Sequence, residues 1–105
     1  GKNNNMKLHK TDKRFKLYKY GFDCYIEFYG DSWREYMRYQ RYCNNILGEQ
    51  FMYFHNKVYR DGKYHLVTRH RKGNSYYKRI YFRGEKNHTL LLMGIPKEDE
   101  NTFYL

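Results

Sequence analysis

The sequence predicts an α+β domain: an antiparallel sheet of five or six strands with one long helix packed on one face, in the order ββαβββ and then a short strand or helix. Three observations predict it. Stretches of alternating apolar and polar residues flank a single stretch of helical periodicity. Only that helical stretch carries both start and stop signals. The chain has 105 residues, enough for one modest core and too few for two.

The elements follow in order. Residues 1–12, GKNNNMKLHKTD, have no periodicity and almost no apolar content, so they read as a flexible basic arm, leaving 13–105 as the domain. RFKLYKY and FDCYIEFY each alternate and read as a hairpin turning at Tyr20-Gly21. The helix spans about Ser32 to Leu47, with Ser32 at the N-cap, Glu35 completing a capping box and Gly48 ending it. Trp33, Tyr36, Met37, Gln40, Cys43 and Leu47 share its apolar face with Trp33 as anchor, while Arg34, Arg38, Arg41 and Asn45 form the solvent stripe. Three strands follow: FMYFHNKVYR, KYHLVTRHR and YYKRIYFR. They are joined by Asp61-Gly62, a type I′ hairpin signal, and by Gly73-Asn74-Ser75. NHTLLLMG favours a sixth strand over a short helix. Pro96 and the acidic KEDEN end regular structure, with Phe103 and Tyr104 expected to pack back on the body.

Strand parity divides these residues between two faces. Phe15, Leu17, Phe22, Cys24, Ile26, Phe28, Met52, Phe54, Val58, Tyr64, Leu66, Ile80 and Phe82 fall on the face the helix should cover. The other face collects Arg14, Lys16, Tyr18, Tyr20, Tyr25, Tyr29, Tyr53, Tyr59, His65, Arg69, Arg71, Tyr77, Arg79 and Tyr81 among others. One helix cannot cover both sides of such a sheet, so this second face should be open.

Charge says what an open face of that kind would meet. The chain carries 21 Lys and Arg against 11 Asp and Glu, a formal net charge of +10, and 14 of its residues are Tyr. So many rings are foreign to a disordered basic tail, and the cation excess favours an anionic partner. Tyrosines offer stacking platforms for unstacked bases while Arg and Lys meet phosphates. The expected function is a small basic protein that binds single-stranded nucleic acid, RNA favoured over DNA, through Tyr59, Arg69, Arg71, Tyr77, Arg79 and Tyr81. Against this stands a plain solvated sheet, since Tyr is a good strand residue and Arg stems cover rings; that reading leaves the charge excess without a purpose.

Catalytic chemistry has thinner support. His55, His65, His70 and His88 lack a paired metal-ligand spacing, and Cys24 and Cys43 fit no zinc pattern and read as reduced, buried thiols. No metal or other cofactor is expected. A metal-independent ribonuclease is the first alternative, with His55, His65 and Glu27 as acid and base candidates and Arg69, Arg71 and Arg79 for the phosphorane. The second is a small viral-type protein that binds an acidic host protein. The abundance of Lys, Asn, Tyr and Phe fits an AT-rich coding genome, as in many phages. No stretch approaches the ~18 apolar residues of a membrane span and no signal-peptide pattern opens the chain, so a cytoplasmic location without membrane contact is expected.

Overall fold

Alternation in the two best-patterned strands builds the centre of the molecule. The computed structural model describes residues 7–29, 32–72 and 75–96, without the side chains of 69–72, 75 and 76. It is an α+β domain. Its strands are β1 (His9–Lys10), β2 (Phe22–Tyr29), β3 (Met52–Phe54), β4 (Lys57–Arg60), β5 (Tyr64–Lys72) and β6 (Ser75–Arg83). Helix α1 (Trp33–Leu47) follows β2, helix α2 (Glu85–Gly94) follows β6, and a 3₁₀ turn covers Lys16–Tyr20. The main sheet is antiparallel and has four strands in the order β1-β2-β6-β5, while β3 and β4 form a separate two-stranded ribbon.

Beyond the irregularity between Phe22 and Cys24, the even positions of β2, with those at the start of β5 and the end of β6, face the helices. Cys24, Ile26, Phe28, Tyr64, Ile80 and Phe82 pack there with Tyr36, Tyr39, Cys43 and Leu47 of α1 and Leu91 of α2. A second, smaller core lies on the opposite face, where Leu17, Phe22, Phe51 and Tyr81 are buried together. The molecule is therefore a layered sheet with one full core and half a core behind it.

Several expectations need correction. The five- or six-stranded sheet is four strands plus the ribbon. RFKLYKY does not pair: Lys16–Tyr20 coil into the 3₁₀ turn, ended by Gly21 at φ 95°, which buries Leu17 against the sheet with Phe15 and Tyr20 packed around it. FMYFHNKVYR is two strands, because His55 and Asn56 both take positive φ (50° and 63°), as a type I′ turn requires. Met52, Phe54 and Val58, expected in the core, are exposed on this ribbon. Asp61-Gly62 joins no hairpin, since β4 and β5 lie in different sheets. Gly62 is buried where a Cβ would collide with the Glu49 carbonyl oxygen and the Phe51 nitrogen, so glycine there serves a close chain crossing. NHTLLLMG is helical: Gly84, at φ 89°, turns the chain out of β6, and Leu91 anchors α2 in the core.

Two more corrections concern α1 and the N-terminal arm. The helix buries Tyr36, Tyr39, Cys43 and Leu47. That stripe leaves Trp33 at the first turn and to one side, 55% exposed, so Tyr36 and not Trp33 is the anchor. Ser32 makes no capping bond through its side chain. Part of the segment assigned to a free arm belongs to the fold, because His9 and Lys10 pair with Tyr25 and Cys24, and Thr11 is buried. Residues 1–6, Gly73-Asn74, Phe103 and Tyr104 lie outside the described residues.

Candidate nucleic-acid interface

The sheet register stacks the odd positions into rows on the face opposite α1. Across β1, β2, β6 and β5 the first row reads His9, Tyr25, Tyr81, His65. The second reads Glu27, Arg79, Val67, and the third brings Tyr29 beside Tyr77. Rings and charges alternate along β2 and β6, as the sequence parity anticipates, so that rows of rings flank a row of charge.

Arg79 is the centre of this face. Its Nε donates to Glu27 Oε2 at 2.7 Å and its Nη1 donates to Tyr81 Oη at 2.8 Å. Tyr29 Oη donates to the other Glu27 oxygen at 2.7 Å. The guanidinium lies 4.1 Å from the centroid of the Tyr25 ring, and that ring stacks on His9 at 5.1 Å. The ion pair is well shielded, with side-chain exposures of 15% for Arg79 and 8% for Glu27. Burial alone would raise the Glu27 carboxyl, but hydrogen bonds from Tyr29 and Arg79, with the positive field of Arg79 and His9, hold it below the ordinary carboxylate value.

An open groove of about 620 Å³ runs over this centre. Tyr25, Arg79 and Tyr81 contribute to its floor, and Phe15, Lys10, Asp12 and Arg14 to its walls. Phe15 stacks on Tyr81 at 5.0 Å. Arg14 pairs with Asp12 at 3.2 Å on an exposed surface, an attachment that an incoming anion can displace at little cost.

The six residues singled out from the sequence do not form one surface. Arg79 lies in the groove and Tyr77 is half-buried beside Tyr29. Tyr81 is 1% exposed: the 3₁₀ segment and Phe15 cover it, so it offers no platform and instead braces Arg79. Tyr59 is 64% exposed but sits on the separate ribbon, under Lys57. The side chains of Arg69 and Arg71 lie outside the described residues. Their backbone runs through a register shift between Val67 and His70, after which His70 pairs with Tyr77 and Arg71 with Tyr76. That bulge interrupts the strict alternation from which a shared face for Arg69, Arg71 and Tyr77 was read.

Sequence reasoning missed His9, Lys10 and Phe15, the first two because they were assigned to the arm and the last because it was assigned to the core. One signal was available: residues 7–20 hold Lys7, Lys10, Lys13, Arg14, Lys16 and Lys19 against the single acid Asp12. The acid and base candidates of the ribonuclease alternative are dispersed. His55 stacks on Phe54 at the ribbon turn, His65 Nδ1 donates to the Phe51 carbonyl at 2.7 Å, and Glu27 is committed to Arg79 and Tyr29. Among the described residues no cluster of His, Cys, Asp and Glu could hold a metal ion, and no helix is long and apolar enough to cross a membrane. Both cysteines are buried free thiols, pushed up to about 12 by burial. Comparison with protein-family models, curated proteins and solved structures finds no match to this chain.

Proposed function

We propose that the chain is a single-stranded nucleic-acid-binding protein whose strand lies in the groove opposite α1. The observation that carries this reading is the juxtaposition of a ring-lined floor bearing Arg79 with Lys10 and Arg14 on the groove walls. A groove that is open and partly cationic suits a flexible strand better than a duplex, since among the described residues no helix or ribbon stands ready to enter a major groove there. Lys10 and Arg14 meet phosphates, and the exposed Tyr29 ring offers a base a stacking surface beyond the groove. Tyr59 and Lys57 on the ribbon supply a second, outlying contact.

Fluorescence anisotropy on single-stranded RNA and DNA oligonucleotides of one sequence tests the reading across a salt series. Binding should weaken with salt at a log-log slope of about −0.7 for each phosphate neutralised. RNA that is bound and recovered intact supports a binder, and RNA recovered as fragments in the presence of chelator moves the ribonuclease alternative ahead. No binding at low salt sinks the proposal and leaves an acidic protein as the anionic partner to seek.

A further inference from the structure

We infer that Arg79 is a preset seat for one phosphodiester of the bound strand and that Glu27 and Tyr81 are positioning residues for it; this rests on the reading of the groove as the strand-binding surface. A guanidinium has five N–H donors in a rigid plane. Glu27 takes the one on Nε and Tyr81 takes one on Nη1, which leaves donors on Nη1 and Nη2 for the groove that Arg79 lines. The plane cannot swing freely, because Tyr25 supports it at 4.1 Å and His9 stacks against Tyr25 in turn. A fork held on two edges and one face loses little freedom on meeting the two non-bridging oxygens of a phosphate, and such bidentate pairs are among the stronger hydrogen bonds.

The competing role is purely structural, a cross-strand ion pair that joins β2 to β6. Shielded pairs of this kind are costly to desolvate and are often no better for stability than apolar residues of the same size. This one also differs from a simple strand clasp in that Tyr29 and Tyr81 are oriented around it, with both Glu27 oxygens already accepting hydrogen bonds. The carboxylate is therefore occupied, and an approaching phosphate meets donors. The other charged groups around the seat are Lys10, Arg14 and Asp12, with the His9 ring behind Tyr25.

A positioned seat and a bare charge predict opposite signs for one substitution, and a purely structural pair predicts no loss of a phosphate contact. Glu27→Gln adds one unit of positive charge to the face. If Arg79 contributed only charge, this variant would bind a single-stranded oligonucleotide more tightly and with an unchanged or steeper salt slope. If Glu27 positions the fork, binding weakens by roughly tenfold and the slope flattens by about 0.7 as one phosphate contact is lost. Arg79→Lys keeps the charge and should weaken binding similarly, while adding little in the Glu27→Gln background, because the two changes remove one contact. Tyr81→Phe changes neither charge nor shape and should weaken binding severalfold, which covers the case in which Glu27→Gln fails to fold. A parent that binds with Glu27→Gln and Tyr81→Phe at or above its affinity overturns the seat alone. A parent that binds no strand overturns both the seat and the proposed function.

Discussion

His65 and His88 are polar rings placed where water is scarce, and their titration should register in the stability of the fold. Burial lowers both below the ordinary histidine value of 6.5, opposed at His65 by its bond to the Phe51 carbonyl and at His88 by the field of Glu85. The unfolded chain then takes up protons near pH 6.5 that the folded one excludes, so their contribution is complete above that value and is lost as pH falls toward the folded values. Glu27 adds to the same trend further down: its folded value is lowered from 4.5, so its contribution is complete above 4.5 and is lost as pH falls through the depressed value. The melting temperature should hold level from about pH 7 to 8, decline below about pH 6.5, and decline again above about pH 9, where unfolded thiols ionise and the buried ones do not. Replacing both His65 and His88 by Gln should flatten the upper part of the acid-side decline; an unchanged profile would mean that neither ring is shielded. At this scale the sequence was legible where parity held, as for Tyr25, Glu27, Tyr77 and Arg79. It was not legible for Tyr81, because its burial is imposed by Phe15 and a turn that local pattern mistook for a strand.

At the scale of elements, periodicity identified β2, α1, β5 and β6 and misjudged what lies between them. Trp33 shows why. Hydrophobicity ranks it as an anchor, but the stripe that meets the sheet is set by Tyr36, Tyr39, Cys43 and Leu47, and a residue in the first turn escapes it. Trp33→Ala should therefore cost about 1 kcal/mol or less, and Tyr36→Ala roughly 3 to 5 kcal/mol, as read by denaturant unfolding; equal costs would contradict the helix phase. The Asp61-Gly62 pair carried a strong hairpin signal for a different reason, namely that a close crossing selects glycine as firmly as a tight turn does. Gly62→Ala forces a Cβ against the backbone of Glu49 and Phe51. It should destabilise by about 1 to 3 kcal/mol or more. An undisturbed melting temperature would mean that the backbone of Glu49 and Phe51 does not crowd Gly62 in this way.

For the whole molecule the decisive question is whether its charge acts as a sum or as a pattern. A net charge of +10 attracts any polyanion from a distance, and exposed cations occur on both sides of the sheet: Lys10 and Arg14 at the groove, Arg34 and Arg41 on α1. Total charge was legible from composition alone. Its distribution was not, because Lys10 was read as part of a free arm when it belongs to the edge strand, and Arg14 was read as a strand residue when it lies in a turn at the wall of the groove. Two double variants separate sum from pattern, since each changes the net charge by the same four units. Lys10→Glu with Arg14→Glu removes cations beside Arg79, whereas Arg34→Glu with Arg41→Glu removes as many from the opposite layer. Distant charges are screened within about 10 Å at ordinary ionic strength, so near that salt the first pair should weaken single-strand binding at least tenfold and flatten the salt slope by about 1.4, two phosphates at 0.7 each. The second pair should change affinity less than threefold under the same conditions, drawing closer to the first only as salt is lowered and the screening length grows. Equal losses at moderate salt would show that the molecule binds as a diffuse polycation and that the groove has no special place in it.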